Sequence, residues 1–252
     1  MKNIFLDPHC LKNNQVHIRG EYYHYLKNVR RVRKGRVLDA VIGNRKYTLK
    51  VSFVNEEKIV CDIIGQKQAA APVVLPVYVY QGVLKARKTD IVVSKLSEIG
   101  VRAFYPLRTG RNVTPRTVGE NKLNRWKRLS REGAKVTGFE KTMEIRAVAN
   151  IMDVLEEFGG YTRENTARVV LLFSTQLEGR PLRTVLEGLD ESRVESFHLF
   201  FGPEGGFSEE ETNAIIEKAG AVPVTMGKFV LRSETACVLA TGFIRLFYSA
   251  KS

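Results

Sequence analysis

Phe197-His198-Leu199-Phe200-Phe201-Gly202-Pro203-Glu204-Gly205-Gly206-Phe207-Ser208-Glu209-Glu210-Glu211 is the stretch that decides the fold. Its first five residues form a short apolar run bounded by turn residues, the pattern of a buried strand. Ser208 followed three positions later by Glu211 is a capping box, which opens a helix. Strand, glycine turn and helix therefore follow one another directly, as in an α/β unit. Glycines at 202, 205 and 206 let the main chain adopt positive φ or come close to a ligand, so that backbone N–H and C=O groups can read it. An ordinary tight turn is the competing reading of such a loop taken alone.

A second loop of the same kind follows. Ala221-Val222-Pro223-Val224-Thr225 reads as a strand, Met226-Gly227-Lys228-Phe229-Val230-Leu231-Arg232 as its loop, and Ser233 to Tyr248 as a C-terminal helix. Ser233 is the expected cap, and Glu234 suits the positive helix end. Arg232 does not, because a cation just before a helix N-terminus is unfavourable, so its presence points to a use elsewhere. Upstream the same alternation continues. Val73 to Val83 reads as a strand, Thr89 to Ile99 as a helix closed by Gly100, and Val101 to Leu107 as a strand. Helices over Asn121 to Val136 and Ile151 to Phe158, a strand over Arg168 to Ser174 and a helix over Pro181 to Leu189 complete the series. Residues 73–252 are expected to form an α/β domain with a mostly parallel sheet. Ligands of such sheets sit at the carboxyl ends of the strands, here near Phe173-Ser174-Thr175, Gly202 and Met226.

Residues 1–70 have a different period. Arg36 to Ile42, Tyr47 to Phe53 and Lys58 to Ile64 read as short strands separated by turns at Gly43-Asn44 and Asn55-Glu56-Glu57, which suggests a small barrel-like domain. Gln66 to Pro72 reads as the linker.

The chain carries 40 Lys plus Arg against 27 Asp plus Glu, a balance of +13. Residues 1–70 hold 14 basic and 6 acidic residues, 71–150 hold 16 and 6, and 151–252 hold 10 and 15. So uneven a distribution suggests that the first 150 residues meet phosphates, with RNA favoured over an anionic membrane because no basic segment has a strong amphipathic apolar face. The run Arg30-Arg31-Val32-Arg33-Lys34-Gly35-Arg36 is either a phosphate-contacting edge or a solvated turn. No stretch reads as an export signal or a membrane span, and a cytoplasmic location is expected. Cys10, Cys61 and Cys237 are odd in number and lack metal spacing, and His9, His17, His24 and His198 are scattered, so no metal site is expected.

The loops Gly202-Pro203-Glu204-Gly205-Gly206-Phe207-Ser208 and Leu231-Arg232-Ser233-Glu234-Thr235-Ala236 closely resemble the paired motifs of SPOUT-class RNA methyltransferases, and within them the ribosomal RNA small-subunit methyltransferase E family. The resemblance extends to Lys95-Leu96-Ser97-Glu98-Ile99-Gly100-Val101, to Pro106 and Arg111, and to Arg125-Trp126. It implies an α/β-knot domain with a deep trefoil knot, an N-terminal PUA-like barrel that binds RNA, and a homodimer that completes each active site. The activity implied is transfer of a methyl group from S-adenosylmethionine to N3 of a uridine in 16S ribosomal RNA of the small subunit. Phe173, Ser174, Thr175, Gly202, Pro203, Glu204, Gly205, Gly206, Met226, Gly227, Val230 and Leu231 are then expected around the donor.

Uridine N3 must lose a proton before it attacks, so the site needs a cation or donor that stabilises the uracil anion. Arg232 is the first candidate, with Arg111 as a partner reaching the target nucleotide or its phosphate. Glu204 either accepts a proton or holds its loop by accepting backbone N–H groups. Arg30, Arg31, Arg33, Lys34, Arg36, Arg125 and Arg128 are the expected RNA contacts. The chain departs from the family pattern at Val136 and Phe139, where Gln and Arg are usual. Phe139 is expected to stack on a base instead. The departure leaves two rivals open, an RNA-binding paralogue of weak activity and a 2'-O-methyltransferase.

Overall fold

The computed structural model describes residues 4–43, 45–69, 75–111, 118–137, 141–158 and 167–249. They divide into two compact units, Met1–Pro72 with Ala134–Lys141, and Val73–Gly133 with Thr142–Ser252.

The first unit is built on a six-stranded sheet in the order β1-β4-β5-β6-β3-β2. Its strands are β1 (Ile4–Leu6), β2 (Leu11–Lys12), β3 (Gln15–Ile18), β4 (Val37–Ile42), β5 (Arg45–Val54) and β6 (Ile59–Gln68), with a short helix α1 (Gly20–His24) running into a π-type turn over Tyr25–Val29. β1 runs parallel to β4, and the other pairings are antiparallel. Alternation decides which face is inside. Leu38 and Ala40 of β4 and Tyr47, Leu49 and Val51 of β5 are buried, and they pack with Val16, Ile18, Ile59 and Cys61 under Tyr23, Leu26 and Val32. The sheet is open among the described residues, so closure into a full barrel is not part of the observed architecture. The expected linker is shortened, because Gln66, Lys67 and Gln68 are still paired, with Tyr47, Lys46 and Arg45. Residues 70–72 lie outside the described residues.

The second unit is a layered α/β structure. Its strands are β7 (Val77–Gly82), β8 (Ala103–Arg108), β9 (Glu144–Ile145), β10 (Ala149–Asn150), β11 (Arg168–Phe173), β12 (Arg180–Pro181), β13 (Ser196–Phe201) and β14 (Val222–Thr225). The helices are α2 (Lys88–Ile99), α3 (Glu120–Thr137, whose residues from Ala134 on count with the first unit), α4 (Ile151–Glu156), α5 (Leu182–Glu187), α6 (Glu209–Ala219) and α7 (Ser233–Ser249). Strand order is β10-β8-β7-β13-β11-β14-β12, with β9 also against β8, and every pairing is parallel. All six residues of β13 are buried, as expected of a central parallel strand covered on both faces. Phe197, Leu199 and Phe201 point to one face, where Val92, Val93 and Leu96 of α2, Trp126 of α3, Leu182 and Leu186 of α5, and Ala240 and Ile244 of α7 cover them. Phe200 points to the other face, with Val170, Leu172 and Tyr80, under Ile151 and Leu155 of α4 and Ala214 and Ile215 of α6.

Local signals explain the helix ends. Ser208 Oγ accepts from Glu211 N (3.1 Å) while Glu211 Oε2 accepts from Ser208 N (2.8 Å), the reciprocal capping box of α6. Gly100 (φ 78°) and Gly220 (φ 64°) close α2 and α6 in the left-handed region. The i,i+3 pair Lys95–Glu98 is present at 3.0 Å. Ser233 behaves differently from expectation. Its hydroxyl donates to Gly202 O (2.5 Å) and accepts from Gln81 Nε2 (3.0 Å), so it ties two loops together.

Candidate active site

β13, β11 and β14 are neighbours in the sheet, and Phe173 is in register with both Phe201 and Val224. Their carboxyl ends therefore open side by side, and the three loops that follow enclose a cavity of about 310 Å³. Phe173, Ser174, Thr175, Gly202, Pro203, Glu204, Gly206, Met226, Val230, Leu231 and Arg232 all line it. Gly205 and Gly227 do not, although they stand in the same loops. A Cβ at Gly205 would point at Arg111, 3.2 Å from its Cβ. At Gly227 (φ +111°) the glycine serves the turn, with open space around it.

The glycine loop is held close to its own backbone. A Cβ at Gly202 would lie 2.9 Å from both the Cα and the carbonyl carbon of Gly206, and one at Gly82 would lie 2.5 Å from Pro203 Cδ. Gly206 takes φ +71°. Gln81, fully buried at the end of β7, shares the two N–H groups of Nε2 among four acceptors within reach, Gly202 O (2.9 Å), Ser233 Oγ (3.0 Å), Gly82 O (3.1 Å) and Phe201 O (3.3 Å). One amide therefore fixes the strand end, the loop and the start of α7.

The charged groups are arranged around Lys88. Its Nζ lies 3.2 Å from Glu204 Oε1 and 3.5 Å from Glu234 Oε1, and all three side chains line the cavity. Glu204 also accepts from Lys85 N (3.1 Å). Burial pushes the Glu204 carboxyl up, but its own and the Lys85 backbone N–H groups and the Lys88 ammonium outweigh that and hold it below the usual carboxylate range. Arg232 is exposed at the cavity wall beside Phe229 and Val230, which are 84% and 82% exposed.

Arg111 stands outside the cavity lining. Its Nη1 donates to Gly205 O and Gln176 Oε1, both at 3.3 Å, so it spans the loops after β13 and β11.

The anticipated RNA contacts fall in both units. In the first, Arg30, Arg31, Arg33, Lys34 and Arg36 are all exposed, between the π-type turn and β4. Arg31 takes φ 49°, and the Arg30 guanidinium lies over the Tyr25 ring at 5.9 Å. In the second, Arg125 Nε donates to Asp90 Oδ2 (2.8 Å) while Trp126 Nε1 donates to Asp90 Oδ1 (2.8 Å), so part of the Arg125 guanidinium is committed to anchoring α3 on α2. Arg128 is 59% exposed and lies 3.8 Å from Glu132. Val136 is exposed on α3, and Phe139 lies outside the described residues.

Lys88, Gln176, Phe229 and the buried Gln81 enter the site without having been singled out in the sequence, and Glu234, read there only as suiting its helix end, joins them. Lys88 carried a usable signal, since it is a cation in the first turn of α2, where the helix dipole disfavours it just as it disfavours Arg232. Gln81 carried none, because its partners beyond the adjacent Gly82 are more than a hundred residues away.

Among the described residues no group of three or more His, Cys, Asp or Glu is placed to hold a metal ion, and no helix is long and apolar enough to cross a membrane.

Known proteins resemble this chain in sequence and in fold. Ribosomal RNA small subunit methyltransferase E of Aquifex aeolicus is 28% identical over 230 residues, covering 90% of this chain and 92% of its own. The protein of the same name from Bacillus subtilis is 24% identical over 237 residues, covering 90% and 88%. A crystal structure of a ribosomal RNA small subunit methyltransferase E from Neisseria gonorrhoeae bound to S-adenosyl methionine superposes with a TM-score of 0.75 at 21% identity, covering 98% of each chain. The pattern of the RNA methyltransferase domain family matches residues 71–245. That match takes in the whole parallel sheet, the three loops and most of α7: the chain belongs to the RNA methyltransferase domain family.

Proposed function

We propose that this protein transfers a methyl group from S-adenosylmethionine to N3 of a uridine in 16S ribosomal RNA of the small subunit. The observation that carries the reading is the cavity at three adjacent parallel strand ends, walled by the two loops whose sequences single out the methyltransferase E family. The naming of relatives that align over most of the chain supports the substrate class, and the donor named in the Neisseria structure supports the cofactor.

The donor supplies an electrophilic methyl group, whose transfer leaves a neutral thioether. This chain's residues must then hold the donor and favour the uracil anion. The backbone of Gly202 and Gly206, with Phe173, Met226 and Leu231, would form the donor's bed. Arg232 would stabilise charge developing on the uracil oxygens. Arg111 keeps N–H groups beyond Nη1 that would reach the target nucleotide's phosphate. Glu204, already accepting from Lys85 N and paired with Lys88, would serve as a loop-holding carboxylate.

The same reading includes a trefoil knot at the three loops, a PUA-like module in the first unit that grips RNA through Arg30 to Arg36, and a cytoplasmic homodimer. The dimer is supported by an apolar stripe on α7, where Leu239, Phe243 and Leu246 recur at helical spacing and remain 50%, 39% and 72% exposed. A methyl-transfer assay on small ribosomal subunits, with the product nucleoside mapped, tests the activity. Base N3 methylation is expected. A ribose methyl would transfer the reading to 2'-O-methylation, and RNA binding without transfer would leave a binding protein.

A further inference from the structure

Glu211 does more than cap its helix. In a capping box the glutamate turns one oxygen back to its own N-cap, as Glu211 Oε2 does to Ser208 N (2.8 Å). The second oxygen has no duty in that motif and ordinarily faces water. Here the residue is buried, and Oε1 accepts from Gly110 N at 2.7 Å, a shorter contact than either hydrogen bond of the box. Gly110 lies in the loop after β8 and immediately precedes Arg111, whose Nη1 reaches Gly205 O and Gln176 Oε1. Packing leaves little slack, since a Cβ at Gly205 would already stand 3.2 Å from Arg111 Cβ and 3.3 Å from Arg111 O. One carboxylate thus fixes the start of α6 with one oxygen and, with the other, the peptide that carries Arg111.

We propose that Glu211 is a positioning residue that acts through Arg111, setting the guanidinium so that its remaining N–H groups meet a phosphate of the RNA strand at the loops after β11 and β13. This rests on the RNA-methyltransferase reading above and adds to it a residue that touches neither donor nor RNA. Two N–H groups converge on this side chain, and only a carboxylate can accept from both. Glu211→Gln keeps its size but must turn an NH₂ toward one of them.

The test is a double-mutant cycle of Glu211→Gln and Arg111→Ala in the full-length protein, with Ser208→Ala as a control that weakens the capping box and leaves Gly110 bonded. Amide exchange at Gly110, S-adenosylmethionine affinity, affinity for a 16S RNA fragment and single-turnover methylation are read for each. In Glu211→Gln, Gly110 exchange accelerates and the methylation rate falls about tenfold, the scale of one lost hydrogen bond to a charged group. Donor affinity holds within about twofold, because Arg111 lies off the cavity lining. The double variant is no slower than Arg111→Ala alone, and Ser208→Ala lowers the melting temperature without touching the rate. Additive losses, an unchanged rate, or equal losses in Ser208→Ala would overturn the proposal. Should Glu211→Gln not fold, Gly110→Pro removes the donor and spares the box, and the cycle is run with it. Should the wild type transfer no methyl group, the activity reading fails. The cycle is then read on RNA affinity, where additive losses overturn the positioning role and non-additive losses support it.

Discussion

Adding one methyl group at Gly202 should damage donor binding, whereas adding one three residues later should not. A Cβ on Gly202 would sit 2.9 Å from Gly206 Cα and from its carbonyl carbon, and 3.0 Å from Phe207 N. Comfortable carbon contacts lie at about 3.5–4.0 Å, so the loop must open by roughly half an ångström or more. Only backbone is available to yield, and Gly202 O is itself held by Gln81 Nε2 and Ser233 Oγ. Overpacking of this kind costs about 1–3 kcal/mol. Gly202 and Gly206 both line the cavity, so displacement of the loop transmits part of that cost to the ligand, about tenfold in affinity for each 1.4 kcal/mol. Gly205→Ala meets only Arg111 and faces away from the cavity. Titration calorimetry with S-adenosylmethionine, alongside thermal melting, should therefore find binding weakened by roughly 10- to 100-fold in Gly202→Ala. In Gly205→Ala it should be nearly unchanged, with methylation slowed through Arg111. Wild-type donor affinity in Gly202→Ala would refute the argument, and equal weakening in both variants would show that the loop answers as a whole rather than by which face it presents.

Three further outcomes are expected. Arg232→Ala should keep donor binding and lose on the order of a hundredfold in single-turnover methylation, the scale of one preorganised charge-stabilising group; an undiminished rate would remove it from the chemical step. Reversing Arg31, Arg33 and Arg36 to Glu should weaken RNA binding and flatten its salt dependence while leaving donor affinity alone, because fewer counterions are then released; an unchanged salt slope would relieve that loop of its RNA role. His198 is buried between the Tyr80 hydroxyl (3.1 Å) and Ser196 (3.2 Å), and burial pushes its pKa down to about 3. Its neutral form contributes stability that is complete above about pH 6.5 and is lost as pH falls toward 3, by up to about 1.4 kcal/mol per pH unit. Melting temperatures should fall with acidification, and His198→Gln should flatten that slope; a slope unchanged by the substitution would place the acid sensitivity in other groups.

Much of the architecture was legible in the chain because local rules agree with the global fold. The run Phe197 to Phe201 is apolar at every position but His198, and only a strand covered on both faces needs that pattern; Ser208 and Glu211 mark a helix start through atoms three residues apart. The N-terminal strand Ile4–Leu6 and the pair at Leu11–Lys12 and Gln15–Ile18 were not legible, since strands so short carry too few periods to stand out. Gln66 to Gln68 looked like linker because their composition is polar, yet they face a partner strand and their side chains need not be apolar at a sheet's end.

At the site, the sequence by itself determined which loops matter, for glycines, a misplaced arginine and a capping box declare themselves within a few residues. Tertiary structure alone decided how those loops are used. It turned Gly205 away from the cavity and toward Arg111, gave the Ser233 hydroxyl to Gly202 instead of to its own helix end, and drew Lys88 between Glu204 and Glu234. It also gave Glu211 a second partner 101 residues away. The physical reason is that backbone propensity and capping act over three or four residues, whereas the direction a side chain faces is fixed by whichever strand the sheet sets beside it, and the order β7-β13-β11-β14 is written in no single segment.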